Sequence, residues 1–195
     1  MPPAPCTVIK VGGSLFDLPD LAGRLRALFT TVHTERIVLF PGGGTSADMV
    51  REMDLIYGLG DEAAHWLALR ALTLNAYFLQ ALLPEFAVLK NRRAYAAPLA
   101  SDAPRAILDP FDFAQADEVN ANHLPHTWDV TSDSLAARAA VVLGARELIL
   151  VKSVDMNEQM TWPDAAAAEL VDPYFPTVMA SARFRVRVVN ARAIV

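Results

Sequence analysis

Three short apolar runs in this chain end in the same kind of turn. "TVIKV", residues 7–11, runs into Gly12-Gly13; "RIVLF", 36–40, runs into Pro41 and Gly42 to Gly44; "ELILVK", 147–152, ends on Lys152-Ser153. Apolar and β-branched runs of that length, closed by such turns, predict strands. Helical spacing fills most of the intervals: Pro19 to His33, a segment capped at Thr45 or Ser46 and running to about Leu55, and the long pattern 61–83. Another begins at a Thr131 or Ser132 cap and stops at Gly144. "FAVLK" and "RAILD" predict two more strands, separated by a loop at 91–104, and "PYFPTVMASA" predicts a short helix before the strand "RFRVRVVN". Residues 156–173 read as a loop. Strands alternating with helices imply a mainly parallel sheet covered on both faces, an α/β architecture.

At 195 residues the chain is the size of one generous domain. It is 53% hydrophobic, with a mean hydropathy of +0.26, yet no apolar run approaches the ~20 residues a membrane span needs. The excess apolarity therefore points to a large core or a subunit interface. The pattern from Asp61, apolar on most faces, suggests a homo-oligomer, at least a dimer. A net charge of −5 without a basic block argues against nucleic acid as a partner. Cys6 is the single cysteine, so no internal disulfide and no cysteine metal cluster is expected, and the start of the chain carries no signal-peptide pattern. A cytoplasmic protein without membrane contact is the simplest expectation.

Lys10 interrupts what otherwise reads as a buried strand, and a buried ammonium costs several kcal/mol unless it is paired. Ligands of open parallel sheets sit beyond the carboxyl ends of the strands, so the three turns should meet at one crevice. Glycines allow backbone N–H groups to approach phosphate oxygens closely. Two glycine turns imply two phosphate sites, one for a phosphoryl donor and one for its acceptor, with Lys10 and Lys152 holding the transferring group. Each piece also has a plainer reading: Gly12-Gly13 as a tight turn, Lys152 as a solvated strand end, Arg51 as a surface arginine. Gly42 to Gly44 are harder to explain as structure alone. Asp133, near a helix start, either favours the helix electrostatically or orients the two lysines, while Asp129 would face the acceptor. His65 reads as a packed histidine, and His123 and His126 flank a proline in a loop that leads to Asp129.

The pieces "IKVGGSL", "FPGGG", "DVTSDSLAARAA" and "LILVKSVD", in that order and spanning residues 7–155, resemble the amino acid kinase superfamily, the group of carbamate, acetylglutamate and uridylate kinases. The resemblance implies a three-layer αβα sandwich with a mainly parallel central sheet. It implies a single domain over 1–195, with an acceptor-binding half at 1–125 and an abbreviated ATP-binding half at 126–195. ATP is the implied donor, with Mg2+ carried by the nucleotide and no metal ligand supplied by the chain. Lys10, Gly12 and Gly13 are implied at the phosphoryl bridge, Gly43 and Gly44 on the acceptor's side, Asp133 as the organising aspartate and Lys152 as the nucleotide-side lysine. Lys10, Asp133 and Lys152 are the expected catalytic set; Ser14, Ser153 and Asp155 complete the donor side, and Gly42, Asp48, Arg51, Asp129 and Thr131 the acceptor side. Met156 stands where the family usually has glycine.

Within the superfamily, "GDEAAHWLAL" (60–69) and "LPHTWDVTSDS" (124–134) resemble a small subgroup, the aminomethylfuran phosphate kinases of methanofuran biosynthesis. The implied reaction converts a phosphate monoester to its diphosphate with ATP. Glycine turns suit the acceptor's phosphate, and an acid such as Asp48 or Asp129 suits its amine. A uridylate-type or other small-molecule kinase, and a non-catalytic nucleotide-binding storage or regulatory protein, are the alternative expectations.

Overall fold

The structure is a computed structural model and describes residues 5–34, 36–89, 104–157 and 159–194. Its centre is a six-stranded sheet in the order β3-β4-β2-β1-β5-β6, every neighbouring pair parallel. The strands are β1 (Cys6–Val11), β2 (Arg36–Pro41), β3 (Ala87–Leu89), β4 (Arg105–Leu108), β5 (Glu147–Lys152) and β6 (Arg185–Asn190). The α-helices are α1 (Leu21–Phe29), α2 (Gly44–Tyr57), α3 (Asp61–Leu82), α4 (Pro110–Asp117), α5 (Ser132–Val142), α6 (Trp162–Ala167) and α7 (Phe175–Met179).

Alternation along the central strands builds the two faces. Val8, Leu148 and Leu150 pack into one core with α5 and Phe175 of α7, while Ile9, Val11, Ile149 and Val151 pack into the other with Leu21, Leu25 and Leu28 of α1. Helix α3 serves both cores, through Leu69 and Leu72 on one and Ala76 and Leu79 on the other. On its remaining face Leu67, Leu74, Tyr77 and Phe78 are exposed, with Phe78 edge-on to Phe16. Both faces of the sheet therefore carry helices, giving the three layers.

The elements differ from the sequence expectation in ways that local chemistry explains. Residues 156–173, read as a loop, contain α6, whose start is capped by the Thr161 side chain accepting from the Asp164 N–H. Helix α4 was not expected; Asp109 caps it, accepting from the N–H groups of Phe111 and Asp112, with Pro110 in the first turn. Helix α2 starts at Gly44 with Gly43 as its N-cap residue, two or three residues before the Thr45 or Ser46 expected there. The helix expected over Pro19 to His33 contracts to Leu21–Phe29. Strand β3 covers only 87–89; Lys90 of "FAVLK" and the expected loop through residue 103 lie outside the described residues.

Candidate active site

Strands β1 and β5 are neighbours, with Lys10 opposite Leu150 in the register and Lys152 closing β5. The two ammonium groups converge on one carboxylate. Lys10 Nζ lies 2.9 Å from Asp133 Oδ1, and Lys152 Nζ donates to both Asp133 oxygens at 2.8 Å. Lys10 is 4% exposed and Asp133 5%, so the negative partner that Lys10 requires is part of the chain itself. Burial alone would raise the Asp133 carboxyl, but Lys10 and then Lys152 outweigh it and hold the group below its usual range. Lys152 moves the other way: desolvation, and then the charge on Lys10, push it down to about 8 against the pull of Asp133.

Asp133 is the second residue of α5, and the start of that helix is fastened by a residue the sequence reading did not single out. The buried Asp172 carboxylate accepts from the N–H groups of Thr131, Ser134 and Phe175 and from both the Thr131 and Ser134 hydroxyls. Thr131, the N-cap residue, therefore turns its hydroxyl to Asp172 rather than to its own helix. Locally Asp172 shows only a bond to the Phe175 N–H three residues on; its partners at the start of α5 lie about forty residues earlier in the chain. Asp172 thereby fixes the start of the helix that carries Asp133.

The two glycine turns pack directly against each other. A Cβ on Gly13 would stand 2.1 Å from the Gly44 nitrogen, and one on Gly42 would stand 2.4 Å from the Gly13 nitrogen. No side chain fits between two backbones at that approach, and Gly44 also has a left-handed φ of +53°. The triple glycine thus has a structural use the sequence did not disclose. Asn75, buried in α3, secures the second turn by donating to the Gly42 and Gly43 carbonyl oxygens at 2.8 and 2.6 Å. Ser14 and Ser153 hydroxyls, 3.0 Å apart, join the turn after β1 to the turn after β5. All three turns meet at the carboxyl edge of the sheet.

A cavity of about 810 Å³ opens beside them. Gly13, Ser14, Gly43, Gly44, Asp48, Arg51 and Thr131 of the expected site line it, together with His65, Trp128, Asp17 and Glu169. Lys10, Asp133 and Lys152 do not line it; Ser132, next to Asp133 in the chain, does, as do Gly13 and Ser14, three and four residues after Lys10. Gly12, Gly42, Ser153 and Asp155 are also outside its wall. Asp129 is exposed and not part of the wall, so the geometry gives no support to the expectation that it faces an acceptor. Trp128 was not among the expected residues. It carries the Arg51 guanidinium 4.4 Å above its ring and donates Nε1–H to Asp54 at 2.8 Å, so the cavity has a flat aromatic wall with a cation fixed on it.

Residues 5–157 match the model of the amino acid kinase family. The chain is 26% identical over 95% of its length, and 88% of the other's, to the [5-(aminomethyl)furan-3-yl]methyl phosphate kinase of Methanocaldococcus jannaschii. Among solved structures it resembles the uridylate kinase of Archaeoglobus fulgidus, with a TM-score of 0.65 at 16% identity, covering 94% of this chain and 89% of that one. It also resembles the UMP kinase of Bacillus anthracis, with a TM-score of 0.67 at 12% identity, covering 97% and 88%.

Proposed function

The chain belongs to the amino acid kinase family, and from that premise we propose that it transfers the γ-phosphoryl group of Mg-ATP to a phosphate oxygen of an amine-bearing furanylmethyl phosphate, giving the diphosphate. It is a phosphotransferase acting on a small molecule; the acceptor is the new part of the reading, and the family's use of ATP supplies the donor. The observation that carries the chemistry is the convergence of Lys10 and Lys152 on the single carboxylate of Asp133 at adjacent strand ends.

In the proposed reaction an acceptor phosphate oxygen attacks the γ-phosphorus, the bond from that phosphorus to the ADP oxygen breaks, and ADP leaves. A phosphate monoester has a second pKa near about 6, so its oxygen is already deprotonated at neutral pH and no general base is needed. The work left to the protein is positioning and neutralisation of charge. Asp133 holds two ammonium groups side by side at adjacent strand ends, so that both can be directed at the developing charge. Gly12, Gly13, Ser14, Ser153 and Asp155 are assigned to the donor side; Gly42, Gly43, Gly44, Asp48, Arg51 and Thr131 to the acceptor side. Arg51 suits the acceptor phosphate, the Asp48 carboxylate suits an ammonium, and Trp128 suits a flat ring. Residues 1–125 are proposed as the acceptor half and 126–195 as a short nucleotide half, with Trp128 and Thr131 lent by the second half to the first. No helix among the described residues is long and apolar enough to cross a membrane, and a cytoplasmic homo-oligomer, at least a dimer, is proposed from the exposed apolar face of α3.

The test is an assay of the purified protein with Mg-ATP against [5-(aminomethyl)furan-3-yl]methyl phosphate and UMP in parallel, reading ADP release and the phosphorylated product. The furan substrate should be converted to its diphosphate with kcat/KM at least tenfold above that for UMP. Conversion of UMP alone would overturn the acceptor and favour a uridylate-type kinase; no turnover with either would overturn the acceptor assignment altogether.

A further inference from the structure

We propose that Glu118, His123 and His126 bind one zinc ion, at a site separate from the phosphoryl-transfer groups. The three residues lie in the connection of residues 118–131 between α4 and α5, which has no helix or strand of its own. Connections longer than about 12 residues are uncommon in compact domains unless something functional holds them. Each of the three side chains offers one ligand atom, and these atoms all lie within 4.8 Å of one another. Glu118 Oε1 is 3.0 Å from His126 Nε2 and 3.6 Å from His123 Nδ1. Ligands at about 2.0–2.1 Å from a tetrahedral zinc stand about 3.3 Å apart, so the two separations bracket what a shared ion requires.

The ligand chemistry selects the ion. Two imidazoles and one carboxylate, with solvent in the fourth position, suit a borderline cation such as zinc, whereas Mg2+ and Ca2+ call for more oxygen ligands. An outer shell is already in place. Glu62 Oε2 lies 2.5 Å from His126 Nδ1, and the other oxygen of Glu62 accepts from Trp66 Nε1–H at 2.6 Å. A carboxylate on the far nitrogen fixes ring orientation and tautomer and turns Nε2 toward the metal, which is how histidine ligands are commonly supported. The His126 ring also stacks on His65 at 4.1 Å between centroids, so its plane is set from a second side. His123 Nδ1 lies 3.1 Å from the Leu124 carbonyl oxygen, which can only accept, so this nitrogen carries a proton that zinc would displace on binding.

The consequence is mechanical. His65 lines the cavity, and Trp128 and Thr131 follow His126 in the same connection, so an ion here would tie that stretch to α3 and α4. Nothing in the assignment depends on ATP or on the acceptor, and its test uses the metal alone. The full chain, stripped with EDTA and dialysed against Zn2+, should retain one equivalent by elemental analysis, and its Tm should rise with added Zn2+. His123→Ala and Glu118→Gln, both at partly exposed positions, should bind at least about tenfold more weakly and lose the rise, and Glu62→Gln should weaken binding by about 10–100-fold. Equal retention by wild type and variants, or no retention by wild type, would overturn the site. Co2+ titration of the wild-type chain decides the matter even if a variant fails to fold: the intense visible bands of tetrahedral cobalt support it, and weak octahedral bands contradict it.

Discussion

Asp133→Ala should lower turnover at least about a hundredfold, the size of effect a single preorganised electrostatic group has, and should destabilise the fold by about 3–5 kcal/mol at neutral pH. The two effects share a cause. Asp133 is the common partner of two ammonium groups, one of them 4% exposed, and without it Lys10 and Lys152 face each other with no negative charge between them. Removing one partner of a buried pair leaves an uncompensated charge, which is far more costly than losing a surface bridge. Steady-state kinetics together with urea denaturation separate the readouts. Turnover close to wild type would mean that the carboxylate serves the fold alone.

The second large effect concerns Lys152, whose ammonium is pushed down to about 8 by burial and by Lys10. The pH profile of kcat/KM reports groups in the free enzyme, so activity should fall as pH rises through about 8, where Lys152 loses its proton. Stability should move in the opposite direction. The unfolded chain holds this proton up to the ordinary value of 10.5 and the folded chain only to about 8, so between those values the unfolded state binds more protons and stability rises with pH. Lys152→Met should lose about a hundredfold in kcat/KM and abolish the alkaline limb. A variant that keeps that limb would assign it to another group.

The sequence disclosed the parts of this molecule whose physics is local. An apolar run closed by a glycine or polar turn reads as a strand and turn wherever it occurs, and Lys10, Gly12, Gly13 and Lys152 are legible because each sits at or just before such a turn. Lys10 additionally announced a partner, since a buried ammonium needs one; that Asp133 supplies it depends on α5 crossing the ends of β1 and β5. What stayed hidden depends on distant contact. Asp172 and Asn75 look like an ordinary loop acid and an ordinary helical amide, and only the folded chain shows one fastening α5 and the other the glycine turn. The triple glycine reads as a phosphate turn from sequence alone because the opposing turn that presses against it lies about thirty residues away in the chain. Helices α4 and α6 were missed for a simpler reason: both are short, and their signals are single caps, Asp109 and Thr161, each close to a proline.

In the proposed reaction Lys10 and Lys152 hold one transferring phosphoryl group between them. A crystal structure with a nonhydrolysable ATP analogue and the furan phosphate acceptor tests it most directly. The γ-phosphoryl oxygens should lie within about 3 Å of both Nζ atoms, the range of charge-assisted hydrogen bonds, with the acceptor phosphate beside Gly43 and Gly44. A triphosphate bound elsewhere, with both lysines still closed on Asp133 and out of reach of it, would contradict it.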